Sequence, residues 1–264
     1  MLEDTYYRDH WIDISAERLD TYEAMFAWHP RMQPLLHPAA ITAGQTVLDY
    51  GCGPGGLAVE IGRQVGPDGN VVGLDLNAQM IARAVELAAQ QGLHERVSFV
   101  HSEASILPFA DNTFDRVLCK SVLEYVAEPE LVLAEFKRVT RPGGKVHVID
   151  SDWHMLVAEP LPDAAMRSLF SAASKAYKTP RIGRKLYGLF KQAEFENVCV
   201  KILSATDTAG ARAPIIRHMI GYARAAGALP DAELDALLVQ IDAAIADGTF
   251  MLVLPQFLVT GDVV

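Results

Sequence analysis

Between residues 42 and 150, apolar runs of strand length alternate with segments whose apolar residues recur at helical spacing. Such alternation predicts an α/β domain with a largely parallel sheet, because a connecting helix returns the chain to the start of the next strand. The first strand is predicted at Thr46–Tyr50 and runs into a glycine loop, followed by a helix over Leu57–Val65. Gly66-Pro67-Asp68-Gly69 then turns the chain into a second strand, Asn70–Leu76. Asn77 is placed to cap a helix carrying Met80, Ile81, Ala84, Val85 and Ala88 on one face, and Gly92 to end it. Further strands are expected at Val97–His101, Asp115–Cys119 and Lys145–Asp150, with a helix from Pro129 to about Val139.

The glycine loop lies in VLDYGCGPGG, residues 47–56, where Gly51, Gly53 and Gly56 reproduce a G-x-G-x-x-G spacing. Those letters alone report a tight turn and a close backbone approach. Asp49 changes their meaning. A carboxylate beside the loop opposes a pyrophosphate by several kcal/mol at intermediate dielectric, and Pro54 removes an N–H that a phosphate would use. Asp75 ends the second strand 24 residues beyond Gly51, where a carboxylate can accept from ribose hydroxyls. A ligand with a ribose, a positive charge and no phosphate is indicated, and S-adenosylmethionine has that composition.

In this order, VLDYGCGPGG, VVGLDL, SEASILPF, FDRVLCKSVLEYV and RPGGKVHVID resemble the successive motifs of class I S-adenosylmethionine-dependent methyltransferases. The resemblance implies a Rossmann-like sheet of seven mostly parallel strands. It also implies that Asp49, Gly51 and Gly53 hold the methionine moiety, that Asp75 holds the ribose, and that Leu76 lies beside the adenine. Glu103-Ala104 stands where Asp-Ala is usual for the adenine amine, and Lys120 aligns with a position whose backbone carbonyl meets the cofactor's amino group.

Residues 1–40 form an aromatic-rich segment expected to be a helical lid, 41–150 the cofactor-binding core, and 151–264 further strands with helical insertions. These insertions are expected after strands five and six, over the C-terminal strand ends, with later strands at Asn197–Ala205 and near Phe250–Thr260. The whole is expected to form one compact domain.

A net charge of −10 without a basic run speaks against nucleic acid as a partner. No run reaches the ~20 apolar residues of a membrane span, and MLEDTYYRDH lacks the regions of a signal peptide, so a cytoplasmic protein without membrane insertion is expected. Cys52, Cys119 and Cys199 show no C-x-x-C spacing, so reduced thiols and no metal site are expected.

The substrate is expected to be a small molecule. The resemblance implies that Lys120-Ser121-Val122-Leu123 replaces the Asn/Asp-Pro-Pro-aromatic motif of enzymes that methylate exocyclic amines of bases or glutamine. Tyr7 and Trp11 in the lid, for which aromatic packing of a helix on the sheet is the alternative, and Trp153 after strand five are candidate substrate contacts. His154 is a candidate general base by residue type, with a surface histidine as the alternative reading, and Tyr7 is a second candidate for the chemistry. Glu124 and Tyr125 are further candidates, whereas His147 and Cys52 read as structural.

The YYRDHW start, the IDSDW segment and the long helical insertion further resemble secondary-metabolite methyltransferases, including the toxoflavin-type N-methyltransferases of planar azapteridines. Methylation of a planar heteroaromatic nitrogen, such as that of a toxoflavin precursor in toxin biosynthesis, is therefore expected. A quinone or polyketide C- or O-methyltransferase, an arsenic methyltransferase and a non-catalytic cofactor-binding protein are the alternatives.

Overall fold

The computed structural model describes residues 4–12, 14–103 and 106–264. Helices α1 (Tyr6–Ile12), α2 (Ala16–Phe26) and the single turn α3 (Gln33–Leu36) precede the first strand, β1 (Thr46–Tyr50). The alternating core then runs through α4 (Gly56–Val65), β2 (Asn70–Asp75), α5 (Ala78–Gln90), β3 (Val97–His101), β4 (Phe114–Lys120), α6 (Pro129–Val139) and β5 (Thr140–Ser151). Beyond it lie β6 (Val157–Glu159), α7 (Asp163–Ala172), α8 (Ile182–Gln192), β7 (Glu196–Leu203) and β8 (Thr206–Asp207). The chain finishes with α9 (Ala213–Ala226), α10 (Asp231–Asp247), β9 (Met251–Val253) and β10 (Gln256–Asp262).

The main sheet has seven strands in the order β3-β2-β1-β4-β5-β10-β7, as the resemblance implies. Strands β1 to β5 pair in parallel, and β10 inserts antiparallel between β5 and β7. Both faces of β1, of β10 and of the second half of β5 are buried, which is why these stretches read as largely apolar runs. Val47 and Leu118 point to one face with Ala58, Ile61 and Val65 of α4, whereas Leu48 and Val117 point to the other with Leu133 and Phe136 of α6. Predicted local signals act as expected: the Asn77 side chain accepts from Met80 N at 2.8 Å, and Pro129 opens α6.

Three features differ from the sequence reading. The expected strand near Phe250–Thr260 is two strands, interrupted at Leu254-Pro255, because proline has no N–H to continue a ladder. Its first half, β9, joins a separate three-stranded sheet, β6-β9-β8, which ties the two inserted regions together. Helix α8, expected as part of an insertion, belongs to the layer covering the main sheet, with Ile182, Leu186 and Phe190 buried beside Phe136 and Val259. The remaining inserted residues have their own core, which includes Trp153, Leu169, Tyr177, Ile216, Tyr222, Leu237 and Phe250.

Candidate functional site

At the C-terminal end of β1 the chain turns through Gly51 and Gly53, at φ of 72° and 52°. These are left-handed conformations that a side chain would strain. Gly51 N and Cys52 N both donate to the Leu74 carbonyl, at 2.7 and 3.0 Å, and so dock the turn on β2. Asp75 completes the joint: Oδ2 accepts from Gly53 N at 2.8 Å and Oδ1 from Asn77 N at 2.9 Å. Each oxygen retains a second lone pair, so the carboxylate can position the loop and still accept from a ligand.

Asp49 lies beneath this turn, 1 % exposed, and its Oδ2 has no hydrogen-bond partner among the described residues. Burial pushes its carboxyl up to about 7, against the pull of the Lys120 ammonium. Burial in turn lowers the Lys120 ammonium, against the attraction of Asp150, Glu124 and Asp49. A carboxylate oxygen left unpaired in the interior costs free energy that a cationic ligand would recover.

The N-terminal helices cover this end of the sheet. Asn77 Nδ2 donates to the carbonyls of Trp11 and Ile12 at 2.7 and 3.1 Å, so one residue caps α5 and holds the end of α1. The backbone after α2 closes directly on α4. A Cβ on Gly56 would stand 2.8 Å from the Phe26 carbonyl oxygen and 3.1 Å from Trp28 N. The Phe26 ring lies 6.0 Å from Lys120 Nζ.

Beyond β4 and β5 a group of aromatic rings continues the site. Tyr125 stacks on Tyr177 at 5.5 Å between centroids, Trp153 meets Tyr177 at 4.8 Å, and Trp11 meets Tyr125 at 5.0 Å. The Trp153 indole N–H donates to the buried Glu124 carboxylate. Burial and the neighbouring Asp150 hold the Glu124 carboxyl well above its ordinary range, against the indole bond. Burial pushes Asp150 itself up to about 6, opposed by backbone amides that include Ser151 N at 2.8 Å and Leu123 N at 3.0 Å.

The residues singled out in the sequence are distributed as follows. Asp49, Gly51, Gly53 and Asp75 converge on the loop, and Lys120 adds its side chain to a position for which only the backbone was expected to matter. Leu76 is half-buried and its carbonyl meets His101 Nε2 at 3.0 Å. Glu103 is exposed, and Ala104 lies outside the described residues. Trp11 and Trp153 join the aromatic group, but the Tyr7 ring lies 5.0 Å from Lys178 Nζ. His154 is exposed and packs edge-on against Phe170 at 4.7 Å. His147 is buried, with Nε2 at 2.7 Å from the Leu35 carbonyl, and Cys52 is buried behind the loop.

Sequence reasoning missed His10, Tyr177 and Tyr222, which complete the aromatic group. The spacing of Tyr6 and His10 along α1 was the one available sign, since residues four apart share a helix face.

The sequence matches a family model described as a methyltransferase domain over residues 41–200, more than half of its 264 residues. The chain belongs to that family. This methyltransferase chain is 37 % identical over 111 residues to the demethylmenaquinone methyltransferase of Lactobacillus johnsonii, a match covering 42 % of this chain and 46 % of that protein. It spans about half the length of the curated relatives it matches. Its fold is shared with a putative methyltransferase of Bacillus halodurans, with a TM-score of 0.62 and 18 % identity over 89 % of this chain and 99 % of the other. It is also shared with phosphoethanolamine N-methyltransferase 2 of Haemonchus contortus in complex with S-adenosyl-L-methionine, with a TM-score of 0.66 and 17 % identity over 100 % of this chain and 61 % of the other. The methyltransferase's own site fits that cofactor class: a buried carboxylate oxygen with no partner among the described residues can compensate a cation, and the half-buried Asp75 offers ribose-type acceptors.

Proposed function

We propose that this protein transfers a methyl group from S-adenosylmethionine to a small planar molecule. The unpartnered Oδ2 of Asp49, buried beside the glycine turn, carries this reading, because a cationic amino acid moiety compensates it and a phosphate does not. Asp49, Gly51, Gly53 and the Lys120 carbonyl are assigned to the methionine end, Asp75 and Leu76 to the ribose and adenine, and Glu103 and Ala104 to the adenine edge. The sulfonium brings an already electrophilic methyl group, so the protein's tasks are alignment, exclusion of water and removal of one proton.

On the same reading, residues 1–40 act as a lid, 41–150 hold the cofactor, and the inserted parts of 151–264 cover the substrate. Trp11 and Trp153 serve as walls for a flat ring, while Tyr7 and His154, on the covering elements, meet the substrate as it enters. A hydroxylated quinol-type ring is the preferred acceptor. It is favoured by the relationship to demethylmenaquinone methyltransferase over the core and by the aromatic walls around Tyr125 and Tyr177. Methylation of a heteroaromatic ring nitrogen, as in a toxoflavin precursor, is the second reading and rests on the same stacked walls.

Calorimetry with S-adenosylhomocysteine should give saturable binding that Asp49→Asn weakens at least tenfold. Methyl-labelled cofactor, offered with reduced 1,4-dihydroxynaphthalene or with lumazine, should label the first on carbon or oxygen. Labelling of lumazine nitrogen alone would favour the second reading. Cofactor binding without transfer to either would favour a non-catalytic binding protein, and absence of cofactor binding would overturn the assignment.

A further inference from the structure

His10 is 4 % exposed on α1 and is surrounded by the rings of Tyr6, Trp11, Tyr125 and Tyr222, with centroids 5.0 to 5.7 Å away. Its Nδ1 is hydrogen-bonded to the Tyr6 carbonyl one helical turn earlier. A carbonyl only accepts, so Nδ1 carries the hydrogen and Nε2 holds the lone pair. Nε2 is buried without a hydrogen-bond partner among the described residues. A buried ring nitrogen whose tautomer is set by its other side, on an imidazole surrounded by aromatic rings, has the form of a general base.

The surroundings keep that base neutral. Burial pushes the imidazole down to about 4, with the Tyr6 carbonyl and Asp9 opposing and Arg18 reinforcing. Arg18 is itself engaged, donating from Nη2 to the Tyr22 hydroxyl at 2.9 Å. The phenols facing the ring, Tyr6, Tyr125 and Tyr222, are all raised by burial and stay protonated. Tyr125 follows β4 and Trp11 is held by Asn77 just beyond β2, so His10 belongs to the end of the sheet where the glycine turn lies.

We infer that His10 Nε2 accepts the proton of an aromatic hydroxyl of the substrate, making His10 the general base of the methyl transfer. This deepens the methyltransferase reading and depends on it. The substrate O–H bond breaks, its electron pair stays on the ring, and the proton bonds to Nε2. The electron-rich oxygen or ring carbon then bonds the methyl carbon while the C–S electron pair remains on sulfur. For transfer to carbon, tautomerisation of the resulting ketone restores the ring, so one proton remains on His10 and leaves when the site opens.

The test uses the full chain loaded with S-adenosylhomocysteine and 1-naphthol as probe, followed by long-range 1H–15N NMR of the imidazoles. The free protein should show His10 with hydrogen on Nδ1 and a pyridine-type Nε2. Adding 1-naphthol should move the Nε2 resonance, whereas 1-methoxynaphthalene should not. His10→Asn keeps a donor for the Tyr6 carbonyl but lacks Nε2. It should bind S-adenosylhomocysteine like the parent and lose about 10²–10⁴-fold in kcat with reduced 1,4-dihydroxynaphthalene. An unmoved Nε2, whether naphthol binds elsewhere or not at all, overturns the inference, as does an unchanged kcat in His10→Asn. Failure of the parent protein to bind S-adenosylhomocysteine would instead overturn the cofactor assignment. If His10→Asn does not fold, the NMR titration of the parent decides alone.

Discussion

The hydroxyls of Tyr22 and Tyr222 meet at 3.2 Å across 200 residues of chain, joining α2 of the N-terminal segment to α9 of the inserted region. Arg18 donates to the same Tyr22 hydroxyl, so Tyr22 keeps a partner when Tyr222 loses its oxygen. Tyr222→Phe should therefore weaken the closure between the two covers by about 1 kcal/mol without disturbing the sheet. Hydrogen exchange in α2 should speed up roughly fivefold, and S-adenosylhomocysteine should dissociate faster by a similar factor. Unchanged exchange in α2 would show that the contact does not hold α2 against α9.

Cofactor binding should depend on pH through Asp49. With its carboxyl near 7 in the free protein, a bound cation favours the ionised form and lowers that value. Below about pH 7 binding then releases a proton, and affinity should fall up to tenfold per pH unit; above about pH 8 it should be level. Calorimetry at pH 6 in buffers of different ionisation enthalpy should detect the released proton, and Asp49→Asn should abolish it.

The same carboxyl bears on stability with the opposite sign. A folded-state value raised above the unfolded value of about 3.9 means that the folded protein holds more protons, so the contribution of Asp49 to stability declines as pH rises from about 4 through about 7. Without ligand, Asp49→Asn should melt higher than the parent at pH 8, and the difference should vanish near pH 4. Saturating S-adenosylhomocysteine should reverse the order at pH 8.

Asp75 connects two strands as well as offering ligand acceptors. Asp75→Ala leaves Gly53 N and Asn77 N without their acceptor, so the glycine turn loosens and cofactor affinity should drop about a hundredfold while the far-UV spectrum is retained. Retained affinity would overturn the assignment of this end of β2 to the ribose.

Gly56→Ala tests how the segment after α2 seats on α4. Its Cβ would meet the Phe26 carbonyl oxygen at 2.8 Å, and backbone cannot rotate away as a side chain can. The segment after α2 should lift, raising the Kd for S-adenosylhomocysteine several-fold and increasing proteolysis between α2 and α3. Equal proteolysis in variant and parent would show that the contact adapts within α4.

Much of the core was legible because its determinants are local. Thr46–Tyr50 and Val97–His101 were predicted to the residue, since each is a short run rich in β-branched and aromatic residues ended by a turn. Asn77 could be assigned as a cap for the same reason. The small sheet was not legible. Val157–Glu159 and Thr206–Asp207 are too short for a period to show, Met251–Val253 reads as the start of the last strand, and each is placed in this sheet by a partner far along the chain.

The loop and its neighbouring acids are a matter of sequence: Gly51, Gly53, Asp49 and Asp75 stand at positions where strand ends and turns must bring them together. His10, Tyr125, Tyr177 and Tyr222 are different. Each reads locally as an aromatic residue on a helix or turn, with the spacing of ordinary packing, and only the docking of the N-terminal and inserted helices over the sheet makes them neighbours. Cofactor class therefore follows from adjacent residues whose geometry the backbone dictates. The aromatic group, and the unpaired nitrogen in it, arise from contacts across more than two hundred residues that no local pattern specifies.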